Sequence, residues 1–191
     1  ALNAFKNASE MDFIPTITEN AWLNYAKLSY EIGNPYQSTT GVLIRFLTLY
    51  PKSASKIQVE SLLIDSYISS NNYKEALDFL KNKSKSFHKE SYQKVTFLRG
   101  LELYNEAEYT ASDALLDNSL SVSLDPITKA RATYWSGEVA YQLMNYKKAL
   151  QRFKDFSQLV QSSKLKESDN LNYNLAYTYF KLKQYPNAIN N

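Results

Sequence analysis

The sequence contains few groups that could carry out covalent chemistry. His88 is the single histidine, cysteine is absent, and the four glycines form neither a phosphate-binding loop nor a dinucleotide-binding fingerprint. No Gly-x-Ser-x-Gly elbow is present that would indicate a serine nucleophile. His88 lies in a lysine-rich segment, and we interpret it as a solvated residue of a connection. The sequence therefore predicts a protein that is not an enzyme and has no cofactor.

Paired carboxylates are the other arrangement that could act chemically. Glu102 and Glu106 lie four residues apart on one face of a predicted helix, where two carboxylates can exchange protons or hold a metal ion. No His-x-x-x-His or Asp-x-Asp pattern accompanies them. We interpret the pair as an exposed acidic face and predict no metal site.

Charge and hydropathy argue against two classes of partner. The net charge is +3, and the basic clusters at 81–94 and 147–154 are followed or interrupted by acidic residues, which does not favour binding of nucleic acid. We interpret both clusters as solvated faces or contacts between helices. No run of about 18 apolar residues occurs, so we predict no insertion into a membrane.

The elements that must position any binding residue are helices, and they recur along the chain. Five tyrosines stand at intervals of 36 to 39 residues: Tyr36, Tyr73, Tyr109, Tyr146 and Tyr185. A small residue follows each of them by three positions: Thr39, Ala76, Ser112, Ala149 and Ala188. A large apolar residue comes four positions later in the first four repeats: Leu43, Leu80, Leu116 and Phe153. Another small residue precedes three of the tyrosines by nine positions: Gly100, Gly137 and Ala176.

This repetition, together with the low content of four glycines and five prolines, predicts an all-α fold of about eleven helices. We expect a short helix within 1–11, then helices at 19–33, 36–49, 55–70, 73–84, 89–105, 108–123, 127–143, 146–162, 167–183 and from 185 onward. Pro15 is expected to separate the first helix from the second, and Asn34-Pro35 predicts an N-cap before a proline.

The same pattern divides the chain into units. Residues 1–18 form a cap segment, and five repeats follow at 19–53, 54–87, 88–125, 126–165 and 166–191, the last of them truncated. Because the chain begins at Ala1 and stops soon after the helix that Tyr185 begins, we interpret it as a fragment of a longer protein.

Two stretches match a known repeat pattern most fully: Trp135, Gly137, Tyr141, Tyr146, Ala149 and Phe153, and then Asn174-Leu-Ala-Tyr with Tyr179, Tyr185 and Ala188. On these residues the chain, over 19–191, resembles the tetratricopeptide repeat (TPR) family, although its period exceeds the usual one of about 34 residues. The resemblance implies a right-handed superhelical α-solenoid of antiparallel helix pairs. It also implies a concave groove, lined mainly by the first helix of each pair, that binds peptide segments or other proteins.

The aromatic content of 14%, with 16 tyrosines, is the most unusual feature of the composition. On the helix faces that should line the groove, we predict a partner-binding set: Phe97, Tyr104, Tyr134, Glu138, Tyr141, Gln142, Tyr173 and Tyr177. Aromatic rings that carry hydroxyl groups can grip a peptide with little loss of conformational freedom. The alternative is that these rings only pack against the next hairpin, and the sequence leaves both interpretations open.

We therefore expect a non-catalytic protein–protein interaction scaffold that binds a peptide segment or partner protein. The segment 46–53 looks like the end of repeats in periplasmic members of the family, which indicates cell-envelope assembly or secretion in a bacterium, with the cytoplasm as the other compartment. The alternatives are a carbohydrate-binding module and a structural spacer that self-associates. The sequence identifies neither the partner nor the oligomeric state.

Overall fold

A computed structural model describes residues 1–11, 14–81, 88–159 and 161–190 of the chain. Throughout these ranges the structure contains eleven α-helices, two short 3-10 turns and no β-strand. The all-α class expected from the repeated pattern is thereby confirmed. None of the helices in these ranges is long and apolar enough to cross a lipid bilayer.

The helices follow the predicted order. They are α1 (Leu2–Ser9), α2 (Pro15–Ile32), α3 (Thr39–Leu49), α4 (Lys56–Ser69), α5 (Tyr73–Lys81), α6 (Lys89–Asn105), α7 (Tyr109–Val122), α8 (Pro126–Gln142), α9 (Tyr146–Ser157), α10 (Leu171–Lys181) and α11 (Tyr185–Ile189). The two 3-10 turns, Ser162–Lys164 and Lys166–Asn170, lie between α9 and α10.

The segment 162–170 is the clearest departure from the predicted bounds. The sequence predicts helices at 146–162 and 167–183, whereas α9 ends at Ser157 and α10 begins at Leu171. Glu167 in the second 3-10 turn forms an ion pair with Arg131 on α8, at 2.7 Å. This tertiary contact holds the segment against α8 in a conformation that the helical pattern does not indicate.

Two helix starts also differ from expectation. Pro15 separates α1 from α2 as predicted, but α2 begins at Pro15 itself and not near residue 19, since the missing N–H of a proline costs no hydrogen bond at the first helical position. The helix expected from Tyr36 begins at Thr39, and its N-cap is Ser38 rather than Asn34. The reason is that the Asn34 side chain instead accepts a hydrogen bond from the Tyr36 N–H, at 2.9 Å, and so forms a turn ahead of the helix.

The chain divides into two compact units, Ala1–Lys83 and Ser84–Asn191. Within each unit, every helix packs against the next one along the chain. Tyr25 and Phe46 are at the centre of the first core, and Phe153 and Phe156 are at the centre of a core in the second. The predicted groove residues all belong to the second unit.

Four of the connections between helices share one turn geometry. A non-glycine residue adopts a left-handed φ of 57–60° two positions before each of four repeated tyrosines: Asn71, Ala107, Met144 and Lys183. The next N–H then donates to the carbonyl five residues earlier, at 2.8–2.9 Å, which closes a Schellman motif. The helices α5, α7, α9 and α11 consequently begin at the predicted tyrosines.

The small and large residues of the repeat meet across the helix pairs. A β-carbon added at Gly137 on α8 would lie 2.7 Å from the Phe153 ring on α9. At Gly100 on α6 it would lie 3.1 Å from the Leu116 side chain on α7. Ser112 donates to the Gly100 carbonyl at 2.7 Å, which ties α6 to α7 at the same level. The repeated small residues are therefore required by close helix contacts.

We predict that Gly137→Ala destabilises the protein by about 1–2 kcal/mol, because the clash with Phe153 outweighs the helix propensity that alanine adds. Urea unfolding followed by far-UV circular dichroism measures the effect. The matched test is Phe153→Leu, which removes the clashing ring. This substitution should lower the free energy of unfolding less in the Gly137→Ala background than in the wild type. A Gly137→Ala variant as stable as the wild type would contradict the close contact.

We predict that Ala107→Gly stabilises the protein by about 0.5–1 kcal/mol, since glycine adopts the left-handed conformation without strain. Ala114, which is exposed in the interior of α7, provides the control. Ala114→Gly should destabilise by about 0.5–1 kcal/mol because glycine disfavours an ordinary helical position. Equal effects of both substitutions in the same urea titration would show that Ala107 is not strained.

Candidate functional site

Two of the clefts on the second unit are lined by Glu138. The larger has a volume of about 670 Å³ and is lined by Tyr104, Ile127, Arg131, Tyr134, Trp135, Glu138, Lys164, Leu165, Lys166, Glu167 and Asn170. The smaller has a volume of about 260 Å³ and is lined by Glu138, Tyr141, Gln142, Phe153, Tyr173, Asn174 and Tyr177. The helix α8 contributes to both clefts, and segment 162–170 and α10 complete them.

An ion pair anchors the wall of the larger cleft. The Glu167 carboxylate, which is 9% exposed, accepts hydrogen bonds from Arg131 Nε at 2.7 Å and from Trp135 Nε1 at 3.2 Å. Burial acts to raise the pKa of Glu167, but these hydrogen bonds and the Arg131 charge outweigh it and hold the pKa below its ordinary value. The Arg131 guanidinium also lies 5.0 Å from the centre of the Phe97 ring. Glu167 therefore stays ionised and fixes both neighbours.

A second network lies where the two clefts meet. The Asn174 amide donates one hydrogen bond to the Tyr134 hydroxyl, at 2.7 Å, and another to the Glu138 carboxylate. The Tyr134 hydroxyl also hydrogen-bonds Glu138, and burial together with the charge of Glu138 raises the pKa of Tyr134. Burial raises the pKa of Glu138 itself. Within the described part of the chain, no lysine, arginine or histidine forms an ion pair with Glu138.

Aromatic rings form the walls around this carboxylate. The Tyr173 and Tyr177 rings on α10 lie 4.4 Å apart and are 61% and 48% exposed. On the larger cleft, the Tyr104 and Trp135 rings meet edge to face at 5.2 Å. Around the half-buried Glu138, the site therefore has rings whose faces are partly open to solvent.

The structure brings seven of the eight predicted residues to these clefts. Tyr104 and Tyr134 line the larger cleft; Tyr141, Gln142, Tyr173 and Tyr177 line the smaller; and Glu138 lines both. Phe97 lies in neither, because it is only 2% exposed and is covered by Arg131. Tyr134 is 3% exposed, so it contributes to the site by holding Glu138 and offers little surface of its own.

Sequence reasoning missed the contribution of segment 162–170. Lys164, Leu165, Lys166 and Glu167 of this segment line the larger cleft, yet the pattern predicted helix over much of it. The available signal was the repeat length, because the interval from Tyr146 to Tyr185 is 39 residues where the others are 36 or 37. The extra residues form part of the cleft wall.

The other charged residues considered for chemistry have local partners. Arg99 forms ion pairs with both Glu102 and Glu106, so the two glutamates do not form an acidic surface without counter-charge. The basic cluster at 147–154 contacts acidic residues of α7, because Lys148 and Arg152 both pair with Asp117 at 3.0 Å. This confirms the interpretation as a contact between helices, while 82–87 of the other basic cluster lies outside the described residues.

The expectation for His88 is wrong. His88 is 4% exposed and is the N-cap residue of α6, so it is buried at a helix start instead of solvated in a connection.

No protein-family model matches the chain, and no curated protein matches it. Among the residues that the structure describes, no group of three or more histidine or acidic side chains is placed to hold a metal ion. The geometry of the two clefts is therefore the basis for assigning a function.

We predict opposite pH dependence for two substitutions at the site. Burial raises the folded-state pKa of Glu138, so its protonated form stabilises the fold below the unfolded-state value of about 4.5, and that contribution is lost as the pH rises above it. Glu138→Gln should therefore gain stability relative to the wild type between pH 4 and pH 7. The folded-state pKa of Glu167 is lowered, so its contribution is present at pH 7 and is lost on acidification.

Glu167→Gln should accordingly lower the free energy of unfolding at pH 7 by about 1–2 kcal/mol. This loss should become progressively smaller towards pH 3. Urea unfolding of the three proteins at several pH values gives the comparison. If the stabilities of both variants relative to the wild type changed with pH in the same direction, this result would contradict the assigned environments of the two carboxylates.

Proposed function

We propose that this chain is a non-catalytic interaction scaffold of the tetratricopeptide type that binds an extended peptide segment of a partner protein in its two clefts. The observation that carries the proposal is the joining of these clefts at Glu138, with tyrosine rings from α6, α8 and α10 around them. In this proposal the helix pairs stack as a right-handed superhelical solenoid, and the clefts lie in its concave groove. Two observations support such an array: four connections share the same turn geometry, and small residues of one helix contact large residues of the next.

The openness of the aromatic wall favours a peptide over a small molecule. Pockets for small ligands bury most of the ligand surface. Here Tyr173 and Tyr177 stand about half exposed, and two clefts of different lining follow one another along α8. Two adjoining sites of this kind suit successive side chains of one extended chain.

The site is also ordered before any partner binds. The amide of Asn174 holds Glu138 and Tyr134, and Glu167 holds Arg131 and Trp135. Since these side chains are already fixed, a peptide need not order them, and less of the binding free energy is lost. The cell-envelope setting that we propose depends on the sequence motif at 46–53.

We predict that Tyr141→Ala and Tyr177→Ala each weaken binding of a selected peptide at least about tenfold, because aromatic residues in such clefts are frequent sites of binding energy. A random peptide library displayed on phage is selected against the immobilised chain, and enriched sequences are synthesised for fluorescence polarisation. The exposed Tyr36 in the first unit provides the control, and Tyr36→Ala should leave the affinity unchanged.

Far-UV circular dichroism checks that the helices persist in each variant. If Tyr177→Ala unfolds the protein, that ring belongs to the core and not to a binding surface. Selection that enriches no peptide, or variants that bind as tightly as Tyr36→Ala, would contradict the proposal. A glycan-array signal in place of peptide binding would favour the carbohydrate alternative.

A further inference from the structure

We propose that the smaller cleft accommodates the cationic side chain of a lysine or arginine, with Glu138 as its counter-charge. The inference rests on the proposed function, because the cation is carried by the bound peptide. It goes beyond that function by naming the chemistry of one residue of the partner and the cleft that receives it.

Of the two carboxylates that line the clefts, Glu138 is the one that forms no ion pair within the described residues. Several other carboxylates of the second unit have cations beside them: Glu102 lies against Arg99, Asp117 lies 3.0 Å from Lys148, and Glu167 lies 2.7 Å from Arg131. Glu138 has only neutral partners, the Tyr134 hydroxyl and the Asn174 amide, among the residues that the structure describes. It is also the single charged residue of the seven that line the smaller cleft.

A half-buried carboxylate without a cation is costly, and a ligand can remove that cost. Taking an ionised group out of water is unfavourable unless an opposite charge compensates it. The desolvation that raises the pKa of Glu138 is the sign of this cost in the free protein. A cation entering the cleft would favour the ionised form and gain a charge-assisted hydrogen bond.

The surrounding groups favour the same ligand. Tyr141, Tyr173 and Tyr177 line the cleft, and the faces of such rings attract cations. Both hydrogens of the Asn174 amide nitrogen are already donated, to Tyr134 and Glu138, which leaves its oxygen as an acceptor for a ligand N–H. A volume of about 260 Å³ admits one long side chain.

The larger cleft differs in charge and is not the site of the cation. Arg131, Lys164 and Lys166 line it, against two carboxylates, of which Glu167 is already paired with Arg131. A ligand cation would be repelled there, so the position of the positive side chain is fixed at the α10 side of Glu138. The two clefts therefore differ in the residues that they accept.

The test uses n-butylammonium as a mimic of the lysine side chain, and 1-butanol as its neutral counterpart. Both are titrated into the isotope-labelled full chain, and chemical shift changes are followed by NMR. We expect n-butylammonium to shift the amides of Tyr141, Tyr173 and Tyr177, and to bind at least about tenfold more tightly than 1-butanol. n-Propylguanidinium, which mimics arginine, is titrated in the same way.

The variant that isolates the charge is Glu138→Gln, because glutamine keeps the size of the side chain and still accepts from Tyr134 and Asn174. It should abolish the preference for the cations over 1-butanol. Glu106→Gln, which removes an exposed carboxylate of the same unit, should keep it. The proposal is overturned if the wild type shows no preference, or if Glu138→Gln retains it.

The outcome is separable from that of the proposed function. Selected peptides that bind but share no lysine or arginine, with no preference for n-butylammonium, would overturn the cation site and leave the peptide scaffold standing. Failure to select any peptide, with a Glu138-dependent preference for n-butylammonium, would overturn the scaffold function and support the cation site.

Discussion

The close contact between Gly137 on α8 and the Phe153 ring on α9 sets the spacing on which the rest of the second unit depends. With no side chain at position 137, the Phe153 ring can lie directly on the α8 backbone. Tyr134, one turn earlier on α8, then packs against Phe153 and Phe156 with ring centres 5.6 and 5.3 Å apart. Its hydroxyl is thereby held where it meets Asn174 and Glu138. The packing around Phe153 and the position of the Tyr134 hydroxyl therefore depend on the absence of a β-carbon at position 137.

The recurrence of residue types predicted the all-α class and most of the helix starts because the physics behind it is local. The tyrosines predicted the starts of α5, α7, α9 and α11, and the small residues predicted where helices approach closely. The departures occur where a contact distant in the sequence decides the conformation. Segment 162–170 is held by the pairing of Glu167 with Arg131, and no local pattern indicates that pairing. The burial of His88 was missed for a related reason, since its lysine-rich neighbours indicated solvent.

The charge environment of the candidate site also depends on contacts that the sequence does not indicate. The sequence placed Glu138 on the groove face, but it could not tell a paired carboxylate from an unpaired one. Glu138 and Glu167 are the same residue type on one cleft, yet burial raises the pKa of the first, whereas in the second the hydrogen bonds and the Arg131 charge together outweigh burial. The direction of the pKa shift depends on whether a cation lies close to the carboxylate, and only the three-dimensional structure determines that.

The Schellman turns have a consequence for how the chain reaches this structure. Each of them closes through hydrogen bonds within six residues, and the contact that follows, between Gly137 and Phe153, spans only sixteen positions. Proteins dominated by such local contacts fold on a timescale of about microseconds to milliseconds, because little loop entropy is lost before contacts form. We therefore expect the α8–α9 hairpin to form early in folding. We expect the contacts of Glu167 and Asn174 with α8, which join residues 36 and 40 positions apart, to form after the hairpin.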